Sequence, residues 1–313
     1  MPSVRRSTVP AELLPIAITT SVAEVFDITT AEGIDREPLA TLLSVSVKPA
    51  AFEELADDEI LVARHVADIA GTLAWRLSSD LTAFVWCPVV DDRFLADRET
   101  IERQLLGEMI RRADSANAWF AQCLLTPTSE RQHDVMLANG FQHIALLRSL
   151  SWQPGEIRSP HKTDDSLTVH VYDPACDRHR LIDLLEATWV ESLDCPILNG
   201  HRTGAEAVQS HDSGDTSLWR IFRTDDRDVG LVLMSKNDSG LSVDYTGVVP
   251  DVRGRRIGRQ IIQYVLDVAR SDGLAVQLSV DTANEPAVRI YESLGFETDR
   301  YLEVLGRFHP SRV

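Results

Sequence analysis

One pattern occurs twice in this chain, and any fold it adopts must contain two similar units. Ile101-Glu102-Arg103-Gln104-Leu105-Leu106 in the first half reads against Ile257-Gly258-Arg259-Gln260-Ile261-Ile262 in the second. Each opens an apolar stripe. Ile101, Leu105, Leu106, Met109, Ile110 and Ala113 form one, and Ile257, Ile261, Ile262, Val265, Leu266 and Ala269 the other. Such spacing puts the apolar side chains on one helix face, which must be buried against a second layer. An apolar strand follows each helix, Trp119 to Leu125 and Ala275 to Asp281, and each copy then reaches a Gly-Phe turn at Gly140-Phe141 or Gly295-Phe296. Strands alternating with helices imply an α/β class with a mixed sheet, and 313 residues suit two tandem domains.

The segment from Gln153 to Ser166 carries Pro154, Gly155, Pro160 and several charges with little apolar content, and reads as a linker. It separates a first domain, residues 1–152, from a second, 167–313. The first dozen residues are expected to be a tail. Strands are expected near Leu167–Tyr172, Ser217–Arg223, Asp228–Ser235, Leu241–Val249, Ala275–Asp281 and Tyr301–Phe308. Helices are expected near Asp177–Glu191, after Thr203, at Arg256–Ser271 and around Tyr291.

Residues 247–258, Gly-Val-Val-Pro-Asp-Val-Arg-Gly-Arg-Arg-Ile-Gly, join a strand to one of the repeated helices. A turn of this kind aims unpaired N–H groups of a helix start at one point, where the dipole favours an anion. Arg253, Arg255 and Arg256 add cations, so a pyrophosphate is the expected guest. Asn284-Glu285-Pro286-Ala287-Val288-Arg289-Ile290-Tyr291-Glu292-Ser293-Leu294-Gly295-Phe296 follows one strand later.

This combination resembles the GNAT superfamily of N-acetyltransferases over about residues 165 to 308. The family writes its acetyl-CoA pyrophosphate loop Gln/Arg-x-x-Gly-x-Gly/Ala, and Arg253 and Gly258 match its ends while Arg256 stands in its first glycine position. The family's Asn-x-x-Ala-x-x-x-Tyr-x-x-x-Gly-Phe helix is matched at Asn284, Ala287, Tyr291, Gly295 and Phe296. The tandem organisation is similar to the mycothiol synthase branch. The resemblance implies an acetyl-CoA-dependent N-acetyltransferase that moves an acetyl group directly to a primary amine of a small molecule or peptide. It places acetyl-CoA on Gly247, Val248, Val249, Arg253, Gly254, Arg255, Arg256, Ile257, Gly258 and Asn284. Tyr291 would protonate the departing thiolate, with packing as its structural alternative; Asp244 is the candidate general base, with Asp281 as another. A rival reading is a non-catalytic acyl-CoA-binding or regulatory module.

The first copy keeps the packing residues and loses the chemistry. Its loop reads Asp97-Arg98-Glu99-Thr100-Ile101-Glu102, with no glycine and three carboxylates, and Ser129 and Met136 stand where the second copy has Asn284 and Tyr291. A degenerate, structural domain is expected, the alternative being that it keeps a binding site for an effector or for part of the acceptor. Between Glu191 and Arg202, a loop bearing Asp194, Asn199, His201 and Arg202 would help to wall the acceptor site.

The net charge of −17 argues against sequence-independent nucleic-acid binding and against anchoring to an anionic membrane; it would suit a cationic small substrate, though acidity as a solubility device is the favoured reading. Cys87, Cys123, Cys176 and Cys195 show no Cys-x-x-Cys spacing, and no apolar run reaches membrane-spanning length, so a reduced cytoplasmic protein is expected. The nine histidines show no metal-ligand spacing, and no metal is expected.

Overall fold

A computed structural model describes residues 26–155, 167–212, 215–225, 227–237 and 239–312. The expected N-terminal tail and linker residues 156–166 lie outside them. The first half comprises β1 (Asp27–Thr30), α1 (Arg36–Leu43), α2 (Pro49–Glu53), β2 (Ile60–His65), β3 (Asp68–Leu77), β4 (Thr82–Val85), β5 (Val89–Val90), α3 (Arg98–Ser115), β6 (Phe120–Leu125), α4 (Glu130–Ala138) and β7 (Gln142–Trp152). The second comprises β8 (Thr168–Val171), α5 (Arg178–Trp189), α6 (Gly204–His211), β9 (Arg220–Thr224), β10 (Arg227–Asn237), β11 (Gly240–Val248), α7 (Ile257–Asp272), β12 (Val276–Asp281), α8 (Glu285–Ser293) and β13 (Glu297–Phe308).

The repeated helices form for the reason their patterns give. Ile257, Ile261, Ile262, Val265, Leu266 and Ala269 of α7 are all buried, as are Ile101, Leu105, Leu106, Met109 and Ala113 of α3. At the C-terminus of α7, Gly273 adopts φ 66° and the Leu274 N–H returns to the Ala269 carbonyl at 2.9 Å. Thr203 and Glu206 cap α6 reciprocally.

The strands run β1-β2-β3-β4-β6-β13-β7-β12-β11-β10-β9-β8 in one mixed sheet, with β5 paired to β3. The order contains an exchange. β7, from the first half, pairs antiparallel with β12, while β13, from the second half, pairs antiparallel with β6. The two exchanged strands also pair with each other. Each brings core residues to its host: Leu150 and Trp152 of β7 join the core around α7, and Leu305 of β13 joins the core around α3. Each also carries an arginine that ion-pairs with a host helix. Arg148 reaches Glu292 of α8 at 2.7 Å, and Arg307 grips Asp114 of α3 at 2.7 and 2.9 Å.

Candidate active site

β11 and β12 are parallel partners at only two positions, Leu241 with Val276 and Ser242 with Gln277. Beyond them the strands part. The cause lies on the other edge of β11, where Leu233 of β10 pairs with Tyr245 and Met234 with Val243, leaving Asp244 as the extra residue of a β-bulge. A bulge bends its strand, here away from β12. Backbone groups on the β12-facing edge of residues 243–248 therefore lack a ladder partner. The Val249 N–H donates to the Val229 carbonyl at 3.0 Å, so Val248, one residue back, faces the gap.

A single 3₁₀ turn, Pro250–Val252, leads from the strand to α7. Gly254 has φ 78° and Arg256 φ 67°, and the first carbonyl to close a helical turn is that of Arg256, which accepts from Gln260 at 3.1 Å. Among the described residues no acceptor meets the N–H groups of Arg256, Ile257, Gly258 and Arg259. They form a helix N-terminus ready for an anion. Gly258 keeps the approach open, because an added Cβ would find nothing nearer than Val248 Cγ2 at 3.7 Å. Gly247 is required for another reason: a Cβ there would lie 2.6 Å from Thr188 Oγ1, where α5 crosses the strand.

The arginines divide the labour. Arg253 turns inward, donating to the carbonyls of Val248 (3.0 Å), Glu191 (3.0 Å) and Thr188 (2.9 Å), which ties the end of α5 to the turn. Arg255 and Arg256 are exposed and have no ion-pair partner among the described residues.

Tyr291 is buried across the gap, its ring edge-on to Phe296 at 5.6 Å. No described group hydrogen-bonds its hydroxyl, and burial, reinforced by Asp194 and Tyr245, raises its pKa far above that of an ordinary phenol. Asn284 caps α8 by accepting from the Ala287 N–H at 3.4 Å. Asp281 accepts from the N–H groups of Cys195 (3.3 Å) and Ala283 (3.0 Å), so its carboxylate fastens the 191–202 loop.

That loop delivers a residue which motif reasoning mentioned only as part of a polar wall. Asp194 accepts from the Asp281 N–H at 2.9 Å at the end of β12. Part of its surface stays open, yet the enclosing walls raise its pKa. Its only sequence signal is a polar loop after an amphipathic helix. The neighbouring Cys195 thiol is pushed strongly upward by burial and by Asp194 and Asp281, and so stays protonated. Asn199 and His201 serve the loop itself, through the Trp189 and Arg312 carbonyls respectively.

Asp244 lines an open concavity of about 630 Å³ on the sheet face, with Ser149, Ser242, Gln277, Ser279 and Asp299. His211 lies within electrostatic reach of Asp244. Burial, aided by Arg202, lowers its pKa to about 4, and its Nε2 is buried with no hydrogen-bond partner among the described residues. Tyr245 donates to Thr188 Oγ1 at 2.7 Å, since that hydroxyl donates onward to Leu185; burial pushes the phenol up to about 12. A helix N-terminus open to an anion and a strand edge without a ladder partner thus adjoin the gap, Asp244 lies on the strand that borders it, and Tyr291 is a buried, protonated phenol.

The corresponding place in the first half is closed. Glu102, aligned with Gly258, ion-pairs with Arg131 of α4 at 2.5 Å, and Met136, aligned with Tyr291, is fully buried. Among the described residues there is no cluster of His, Cys, Asp and Glu that could hold a metal, and no helix long and apolar enough to cross a membrane.

The sequence model of the acetyltransferase (GNAT) family matches residues 180–296. The chain is 30% identical over 138 residues to the peptidyl-lysine N-acetyltransferase YjaB of Salmonella typhimurium, covering 42% of this chain and 90% of that protein. It is 27% identical over 140 residues to the mycothiol acetyltransferase of Thermomonospora curvata, covering 42% of this chain and 44% of that one. In fold it is similar to a GCN5-related N-acetyltransferase from Sphaerobacter thermophilus, with a TM-score of 0.64 at 16% identity over 90% of this chain and 95% of that one.

Proposed function

The chain belongs to the GNAT acetyltransferase family, and from that premise we propose that its second half transfers the acetyl group of acetyl-CoA directly to a primary amine of lysine type. One observation carries the reading: the bulge at Asp244 parts β11 from β12 directly before a helix N-terminus whose N–H groups have no acceptor among the described residues. The pyrophosphate fits the N–H groups of residues 256–259, with Arg255 and Arg256 as its cations. Arg253 shapes the turn from within. The pantetheine arm lies along the free edge of β11, where the Val248 N–H polarises the thioester carbonyl.

The acceptor enters from the concavity beside Asp244. Its neutral nitrogen attacks the thioester carbon, the C–S bond breaks, the nitrogen's surplus proton passes to Asp244 directly or through water, and Tyr291 protonates the thiolate. The raised pKa of Tyr291 keeps the phenol protonated for that donation. A lysine-type acceptor is supported by the relative's peptidyl-lysine activity and by the charge of −17. The test is coenzyme A release from acetyl-CoA over a panel of primary amines, beside calorimetric acetyl-CoA binding. Turnover that nearly vanishes in Tyr291→Phe with binding retained is expected; tight binding with no turnover on any amine would refute the enzyme reading in favour of a binding module.

A further inference from the structure

Between Trp119 of the first half and Trp189 of the second sits a cation with no ion-pair partner among the described residues. Arg202 follows the loop that carries Asp194, and its guanidinium lies 5.8 Å from the ring centre of Trp119 and 5.7 Å from that of Trp189. Trp119 belongs to the first half and is fixed by its Nε1–H bond to Thr82 Oγ1 at 3.0 Å, while Trp189 ends α5 of the second. No carboxylate or carbonyl among the described residues hydrogen-bonds Arg202. Of the two acids within its electrostatic reach, Asp80 acts on it more than Glu206, and Asp80 is already occupied by Ser78, the Thr82 N–H at 3.2 Å and the Thr82 hydroxyl at 2.9 Å. Burial lowers the pKa of Arg202, as expected of a cation whose surroundings do not repay its desolvation.

Its position relative to the gap gives the cation a use. Tyr245, of the strand that borders the gap, is within electrostatic reach of Arg202, and so is His211, which is also within reach of Asp244. Both indoles lie within cation–π range of the guanidinium, no acceptor among the described residues takes its N–H groups, and those groups can match a carboxylate bidentately. We propose that Arg202 receives a carboxylate borne by the acceptor close to its amine, so that the first half, through Trp119, takes part in choosing the substrate. The inference rests on the acetyl-transfer reading above. Its substrate class is a zwitterionic amine: a free amino acid, or a peptide with an acidic group beside the reacting lysine.

The test uses matched acceptors with wild type, Arg202→Gln and Arg202→Lys. Free lysine against lysinamide examines the amino-acid source; a lysine peptide flanked by glutamate against the same peptide flanked by glutamine examines the peptide source. Wild type should favour the carboxylate member of one pair by about 10- to 100-fold in kcat/KM, the worth of a charge-assisted bond, and Arg202→Gln should bring that ratio near unity. Arg202→Lys should recover part of it, since a point charge replaces the fork. Equal rates on both members of both pairs in wild type, or an unchanged preference in Arg202→Gln, would overturn the proposal. Calorimetric binding of the same four probes to wild type and Arg202→Gln separates the two claims. Carboxylate-selective binding that Arg202→Gln abolishes, with no turnover of any probe, upholds the Arg202 site and sinks acetyl transfer; non-selective binding sinks the Arg202 site.

Discussion

The two copies of the strand-to-helix junction differ in the turn that precedes the helix and in the side chain that stands at the position of Gly258. Aligned on Ile101 and Ile257, the first copy has Arg98, Glu99 and Thr100 already inside α3, where the second has the left-handed turns at Gly254 and Arg256. The extra helix removes the bend that aims N–H groups at one point. Glu102 then occupies the position of Gly258 and bridges to Arg131. Burial raises the Glu102 pKa even beside that arginine, which marks the space as enclosed. The first copy thus has a longer helix and one added carboxylate where the second has a bent turn and Gly258, while the apolar stripe of the helix is common to both.

The largest expected effect concerns whether the copies are separable at all. Residues 167–313 expressed alone lack β7, so β12 loses its partner and the core around α7 loses Leu150 and Trp152. Removal of a buried tryptophan alone costs about 3–5 kcal/mol, against a total stability of about 5–15 kcal/mol. The fragment should show no cooperative melting transition and no acetyl-CoA binding, and co-expression with residues 26–155 should restore both. A 167–313 fragment that melts cooperatively and binds acetyl-CoA would break the view of the halves as interlocked.

Next comes a transplant of the first copy's carboxylate into the second. In Gly258→Glu the new Cβ meets only ordinary contacts, so the fold should survive. Repulsion from one phosphate charge at 4 Å amounts to about 4 kcal/mol at an effective dielectric constant of 20, or roughly a thousandfold in affinity. Calorimetry should find acetyl-CoA binding weakened to that degree with little change in Tm. Retained binding would move the pyrophosphate away from α7.

The second copy, which carries His211 on α6, should respond to acid. His211 titrates near 4 when folded, below its ordinary value near 6.5, so the unfolded chain binds its proton first as pH falls. Its contribution is present above pH 6.5 and is lost between 6.5 and 4, by up to about 3 kcal/mol. Denaturant titrations of wild type and His211→Gln should diverge across that window; parallel curves would show that His211 is solvated. Smaller still is the effect at the position where the copies carry Tyr291 and Met136. Tyr291→Phe should lower kcat by roughly a hundredfold and leave the acetyl-CoA Kd within about twofold. A matching loss of affinity would reassign the tyrosine to packing.

Much of this was legible in the chain. The stripes of α3 and α7 and the loss of glycine at Asp97 to Glu102 are local patterns, and local patterns survive folding. The expected helix start at Arg256 shifts to Ile257 because Arg256 takes the left-handed conformation. The strand exchange was not legible, since alternation along Gln142–Trp152 shows that faces are buried without naming the neighbouring strand. Nor was the inward turn of Arg253: a motif supplies its charge, but the carbonyls of Thr188 and Glu191 reach it only through the packing of α5 on β11. Asp194 and Arg202 are polar residues of a polar loop until the end of β12 and two indoles from different halves give them a place.

Arg256 sharpens the comparison most finely, because it puts backbone strain and ligand charge on one residue. A non-glycine residue in the left-handed region costs about 1–2 kcal/mol, while glycine gives back about 0.4–1 kcal/mol through the freer unfolded chain. Arg256→Gly should therefore stabilise the apoprotein slightly, raising Tm by about 1–2 °C. The same change removes an exposed guanidinium from the mouth of the cradle, worth about 1 kcal/mol or roughly fivefold in acetyl-CoA affinity. A higher Tm with a weaker Kd means that the arginine is held in strain for the phosphate. A higher Tm with an unchanged Kd means that the arginine at this position does nothing for the phosphate.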